Sequence, residues 1–585
     1  MRRNKLFIIF LGITLSLMFL SSQTLSTAEV KLSFDHFYNN AELTAALKAL
    51  QKANPQFMKM FSLGKTHQGR DIWAVVLNNP KTGPAEHKSG FYIDGNIHGN
   101  EIQGTEVALY AIWYLLKNYG KTELATRLLD ERAFYFIPTM NPDSRDYFVD
   151  KREAYRTGLI PLDDDRDGVA DEDGAEDLDG DGFITTMRKK DPNGRFKAHP
   201  DDPRILIPVR PGEKGEYSLL GMEGIDNDGD GRINEDELGG YDMNRNYGFN
   251  WQPHYVQYGA GPYPFCYPET KATRDFLLAH PNIMGGQAFH NSGGMILRGP
   301  GAKNMGEYPL GDRNVYDYVG KKGEKIIPGY RYLIVYSDLY TVFGGSVDFL
   351  YSALGIYTFS NELDMSPTFS IPVGAEAEDE EVDEEVQRIR NLAERLAEME
   401  YHDLILLGEH FADWKSYKHP LYGDVEIGGT KIYGSRVPPL FQLADTCHRN
   451  AAFCFYHADQ LPRLEFDGVK VKKLEKNLFQ IDVSVKNTRV TPTMSARAVQ
   501  NKLHRADRLK VDGQNIKLVA AGRLYDKYRG ITNKVKTRDN YIWIESGIPS
   551  FGRVEYRFLV EGKGSIKLIY DSLKGGYYAK SVTLK

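Results

Sequence analysis

The sequence predicts an α/β fold class, a mixed, largely parallel sheet flanked by helices, followed by a C-terminal all-β, sandwich-like domain. Three observations carry this reading. Short β-rich runs alternate with apolar helical patterns over the first two thirds of the chain. One Asp- and Gly-rich stretch interrupts that alternation. After about residue 465, alternating and β-branched segments replace it.

The elements follow in order. Residues 41–50 carry apolar side chains at helical spacing, and Asn54-Pro55 ends that pattern. Residues 71–78 and 90–94 are β-rich, 102–117 read as an amphipathic helix and 133–138 as a buried strand. Residues from about 160 to 240 lose periodicity and read as a loop insertion. Regular patterns resume at 282–289, 331–335 and 355–359, and 376–407 read as a charged helix with one apolar stripe. Segments 478–485, 540–545, 553–560 and 565–570 supply the β domain. The expected organisation is an export signal over 1–28, a catalytic domain over 34–415, a connecting region over 416–464 that resists classification, and the β domain over 465–585.

A chain of 585 residues, 41% hydrophobic and 12% aromatic, is long enough for two or three cores. Its net charge of -6, with no basic tail or stripe, argues against a nucleic-acid partner. Arg2, Arg3 and Lys5 precede an apolar run of about 15 residues, and Ser26 and Ala28 offer a small-residue cleavage site. The expectation is a secreted or periplasmic protein with no membrane segment beyond that signal. Export permits disulfides. Cys447 and Cys454 are close enough in sequence to close a small loop, leaving Cys266 free; the count of three is too low for a disulfide scaffold and argues against a thiolate zinc site.

The chemistry begins at Gly95-Asn96-Ile97-His98-Gly99-Asn100-Glu101, on the turn between a strand and a helix. Such a turn can aim an imidazole and a carboxylate at one point, and Zn²⁺ accepts both; a catalytic site wants three protein ligands and an open fourth position. Alone, the pair is compatible with a chance surface turn. The candidate third ligand is His290, which closes an apolar segment and opens a glycine-rich loop, where α/β sheets present ligands. In isolation it reads equally as a buried, hydrogen-bonded histidine.

Here the chain resembles the zinc carboxypeptidase family, over about residues 34–415. The resemblance implies one catalytic Zn²⁺ on His98, Glu101 and His290, and the sequence between the first two is more similar to the D/E branch than to the A/B branch. It implies that Asn244 and Arg245 grip the substrate's terminal carboxylate and that Asp242 orients a zinc-bound histidine. Tyr340 is implied as the residue that closes over the peptide, Glu362 as the catalytic glutamate, and Val347 as an apolar pocket floor favouring apolar or aromatic C-terminal residues. For the oxyanion arginine, Arg188 is favoured and Arg156 is the runner-up. The implied activity is release of C-terminal residues from peptides or proteins with a free C-terminus. A cell-wall stem-peptide hydrolase and a non-catalytic, calcium-stabilised binding protein are the alternatives.

Within the insert, Asp226, Asp228, Asp230, Gly231 and Glu237 match the EF-hand loop pattern, and Asp177, Asp179 and Asp181 repeat its beginning. Structural Ca²⁺ is expected there. Asp163, Asp165 and Asp167 form a third such run.

Overall fold

The computed structural model describes residues 27–163, 166–363, 384–434, 436–526 and 528–585. The export-signal reading of 1–28 therefore lies almost wholly outside the described residues, as does Asp165. Among the described residues, no helix is long and apolar enough to cross a membrane.

The main sheet has eight strands in the spatial order Met58–Lys65, Asp71–Leu77, Arg132–Ile137, Ser89–Gly95, Ile283–Asn291, Tyr357–Leu363, Met295–Arg298 and Arg331–Ile334. From Arg132–Ile137 to Tyr357–Leu363 neighbouring strands run parallel; antiparallel pairs flank that block on both sides. Every residue of Ser89–Gly95 and Ile283–Asn291 is buried, which explains why apolar residues and glycine fill most of both strands. Alternate side chains enter opposite layers. Phe91 and Ile93 join the core beneath helices Gln103–Asn118 and Leu440–Asp459, whereas Tyr92 joins Phe276 and Leu277 of helix Pro268–Ala279.

The region around 160–240 is not only loop. Thr186–Lys190, Phe196–Ala198, Leu206–Pro208 and Tyr217–Met222 are strands, and they join the hairpin Phe411–His419/Gly423–Thr430 in one antiparallel six-stranded sheet. Strands this short show no periodicity of their own, and their stabilising partner comes from far along the chain. Helix Glu384–Leu404 packs Leu392, Leu396 and Met399 against Ile205, Ile207 and Phe411 beside that sheet.

The connecting region also acquires a place. Helix Leu440–Asp459 buries Leu443, Ala451, Phe453 and Ala458 in the main core. Cys447 and Cys454 lie on this one helix, buried and free, and Cys266 is free as well. The expected small disulfide loop does not form. Seven residues of helix span about 10 Å at about 1.5 Å per residue, beyond the reach of a disulfide.

C-terminally, two antiparallel five-stranded sheets face each other across one core, with Ile481, Val483 and Phe558 of one sheet packed in a cluster with Leu509, Leu568 and Tyr570 of the other. The burial of Arg553–Glu561 alternates strictly, as a strand with one face in a sandwich core requires. Buried Lys574 donates from Nζ to the carbonyl of Ile283 at 2.5 Å, joining this sandwich to the first residue of a central strand of the main sheet.

Thiol counting tests the helix. Three thiols should titrate in denaturant without reductant, and in the native protein only half-buried Cys266 should react readily. A count of one in denaturant would restore the disulfide.

Candidate active site

Strand Ser89–Gly95 ends on the turn that carries His98 and Glu101, and helix Gln103–Asn118 follows at once. A Cβ on Gly95 would stand 2.6 Å from the carbonyl carbon of Gly104, so glycine is what lets the helix return against the strand end. The Asn96 side chain binds the turn from within, donating to the carbonyl of His98 at 2.7 Å. Two strands away from the first of these motifs, Glu362 lies directly opposite His290 in parallel register. Both stand at the C-terminal edge of the sheet, where a crevice opens.

Three donor atoms converge there. Glu101 Oε2 is 2.8 Å from His98 Nδ1 and 2.9 Å from His290 Nδ1, and the two nitrogens are 3.2 Å apart. All three residues are buried. Spacings near 3 Å suit neighbouring corners of a tetrahedral shell with metal–ligand bonds of about 2.0–2.2 Å, and the His, His and Glu donors suit zinc. His98 turns its other nitrogen, Nε2, to Asp242 Oδ1 at 3.0 Å, which fixes the ring and directs Nδ1 inward. Burial opposes ionisation of both carboxylates, but His98 and His290 outweigh it at Glu101, and His98, Arg156 and Arg245 outweigh it at Asp242; both stay well below the ordinary range.

A cleft of about 710 Å³ opens over this cluster, lined by His98, Glu101, Arg156, Asn244, Arg245, His290, Tyr340, Val347, Glu362 and Arg436 among others. Glu362 is pushed up to about 7, chiefly by burial; His290 opposes the rise and Glu101 adds to it. Asn244 accepts from the Ser346 N–H through Oδ1 at 2.9 Å, leaving its amide nitrogen 3.5 Å from His290 Nε2. Arg245 donates to the Asn244 carbonyl at 3.0 Å and lies 3.9 Å from Asp242. Gly344, with φ +66, lets the loop after Tyr340 approach closely, since a Cβ there would be 2.3 Å from the Arg245 carbonyl oxygen. Tyr340 itself is 57% exposed at the rim.

The arginine preference reverses. Arg188 lies in the six-stranded sheet, bonded to Glu426 at 2.7 Å and packed over the Tyr217 and Trp414 rings, and it is not among the residues lining the cleft. Its sequence neighbours pair with the hairpin at Gly423–Thr430, which carries it away from the main sheet edge. Arg156 is in the cleft, donating to Glu101 Oε1 at 3.0 Å and to Asp242 Oδ2 at 3.1 Å. Arg436, which the sequence reading missed, approaches Glu101 at 3.9 Å from beyond the expected catalytic boundary. Nothing local to Arg436 marks it. Arg156 follows soon after the Asn141-Pro142-Asp143 turn, and that proximity was the available signal.

In the insert, Glu237 is exposed and does not join the acidic clusters; Glu235 groups with Asp228 and Asp230 instead. Asp226 groups with Asp228 and Asp173. Asp177 and Asp179 meet Glu223, without Asp181, whose Oδ1 accepts from the Phe183 N–H.

A buried His, His and Glu cluster at the edge of an α/β sheet, beside a carboxylate and arginines in an open cleft, belongs to the class of metal-dependent hydrolases. The chain belongs to the zinc carboxypeptidase family, whose model matches residues 43–203 and 216–386, more than half of its length. Residues 463–583 match a domain of unknown function. The chain is 31% identical over 130 residues to carboxypeptidase D of Drosophila melanogaster, covering 22% of this chain and 9% of that one. It is 31% identical over 137 residues to carboxypeptidase M of Mus musculus, covering 22% and 30%. Carboxypeptidase A of Helicoverpa armigera aligns over 58% of this chain and 67% of its own, at 20% identity and a TM-score of 0.41. The matched stretches thus span less than a third of either sequence relative.

Replacing Asp242 with Asn should weaken zinc binding by about 10–100-fold, measured by competition with a chromophoric chelator. An unchanged affinity would remove Asp242 from the support of His98.

Proposed function

We propose that the chain is an exported zinc carboxypeptidase that hydrolyses the C-terminal peptide bond of peptides or proteins. One observation carries the proposal: the converging donors of His98, Glu101 and His290 stand directly beside Glu362, in a cleft that also holds Arg245 and Arg156.

Zinc held by His98, Glu101 and His290 would supply Lewis acidity and lower the pKa of water at that point. The remaining work falls to the chain's own groups. Glu362 takes a proton from the attacking water and delivers it to the departing amine; a carboxyl pushed up to about 7 suits both halves of that task. Arg156 donates to the developing oxyanion, its guanidinium already held in the cleft by Asp242 and Glu101. Asn244, Arg245 and Tyr340 bind the terminal carboxylate, which confines cleavage to the chain end. Apolar Met295, Leu297, Val342 and Val347 line the cleft, while buried Asp348 accepts from the Gly301 N–H at 3.0 Å. The preferred C-terminal side chain is therefore apolar or aromatic. Calcium enters the same reading as a structural ion in the acidic insert.

A panel of N-blocked peptides varied at the last residue tests the proposal, run with zinc, with chelator and with zinc restored. Zinc-dependent release of single C-terminal residues, apolar ones fastest, is the expected result; no release from any peptide would turn attention to cell-wall stem peptides. Glu362→Gln should retain zinc while turnover falls by about 10²–10⁴-fold. Arg156→Ala should lower kcat by about 10²–10³-fold. Arg188→Ala should cost stability but leave kcat of the folded enzyme near normal. The opposite ranking of the two arginine variants would reinstate Arg188.

A further inference from the structure

The insert concentrates negative charge that is met mainly by neutral donors: the Asn227 side-chain amide donates to Asp173 Oδ1 at 3.2 Å, and backbone N–H groups donate to Asp226, Asp228 and Asp230. A carboxylate oxygen of Asp173 lies within 4.8 Å of oxygens from Asp226 and Asp228, and Asp228 forms a second group of the same span with Asp230 and Glu235. Two separate stretches of chain therefore meet at Asp228. They are pinned together by the Asp173–Asp236 bridge, where the Asp236 N–H donates to the Asp173 carbonyl at 3.3 Å.

The second observation is independent of the cluster. Asp173 is 1% exposed, and its Oδ2 is buried with no hydrogen-bond partner among the described residues. Glu235 Oε2 is left in the same condition. A buried carboxylate oxygen without a donor is unfavourable unless a cation neutralises it. The side chain of Arg232 is 71% exposed and 3.7 Å from Asp230, beyond hydrogen-bonding distance. Oxygens within 4.8 Å of one another can share an ion with metal–oxygen distances of about 2.3–2.6 Å, the calcium range.

The loop at Asp177 and Asp179 has answered the same need with protein groups. Lys415 Nζ donates to Asp179 Oδ2 at 3.2 Å, and both Glu223 oxygens accept from N–H groups, of Thr185 and Leu178.

We propose that Asp173, Asp226, Asp228, Asp230 and Glu235 form one composite Ca²⁺ site built from two stretches of the insert, in which Asp173 and Glu235 replace the Glu237 that the EF-hand pattern designates. This rests on the calcium reading of the insert and changes which residues carry it. The ion would clasp the two arms that flank the active site. Asp171 Oδ1 accepts from the Gly239 N–H at 3.0 Å, and the chain then runs directly into Asp242; the Gly158 N–H, two residues from Arg156, donates to the Tyr241 carbonyl at 3.4 Å.

Calorimetric titration of the zinc-loaded full chain with Ca²⁺, without substrate, tests this. Wild type should bind saturably. Asp173→Asn and the more exposed Asp228→Asn should each weaken binding at least tenfold, and Glu237→Gln and Asp177→Asn should leave it unchanged. Circular dichroism and Tm in a Ca²⁺ chelator, equal to wild type for Asp228→Asn, would exclude misfolding as the cause. Saturable binding that Glu237→Gln abolishes and Asp173→Asn spares would overturn the composite site and keep the EF-hand-like one. No saturable binding by wild type would overturn both, and none of these outcomes bears on the peptidase reading.

Discussion

Two imidazole nitrogens and a carboxylate oxygen stand within 3.2 Å of one another at the edge of a buried sheet. Crowded donors in a nearly dry site are unfavourable unless a cation lies among them. The surroundings serve to hold that arrangement. Asp242 fixes one ring, Asn96 braces the turn, and the parallel register sets Glu362 beside His290. The absence of side chains at Gly95 and Gly104 lets helix Gln103–Asn118 close on the strand end. The parallel order of the central strands has the same consequence, since it brings three strand ends to one crevice.

Much of this was legible before any coordinates. The candidate metal residues and Glu362 sit where apolar runs stop at glycine or polar residues, and a strand end is a strong local signal. The central strands were equally visible, because burial on both faces leaves them mostly apolar in sequence. The misreadings share one physical cause, which is dependence on a partner distant in sequence. The insert's strands are short, and the one that anchors them, Thr186–Lys190, pairs with a hairpin more than two hundred residues on. That pairing, invisible locally, is what draws Arg188 to Glu426 and away from the cleft. Arg436 likewise reaches the site only because a later segment folds back. The thiol error was of another kind: proximity in sequence was taken for proximity of sulfurs, and a helix separates them.

Arg156 shows how the insert and the cleft are linked. Its guanidinium spans Glu101 and Asp242, so it touches both the metal-facing group and the one behind it. On its C-terminal side the backbone is tied to the chain leaving the insert, the Gly158 N–H donating to the Tyr241 carbonyl. The position of a single arginine therefore depends on segments that hold no catalytic group.

Helix Leu440–Asp459 covers the main sheet, with Phe453 tilted against Phe359 and buried His457 edge-on to Phe91 and Phe359. During synthesis the strands beneath it leave the ribosome long before it does. Until the helix arrives, that face of the sheet is covered only in part, and an apolar surface of that kind invites association with chaperones or with other chains. The nascent protein must therefore be kept open, or shielded, until roughly four fifths of it has been made. The sandwich emerges after that point, and Lys574 then fastens it to the foot of the strand that ends at His290 and Asn291.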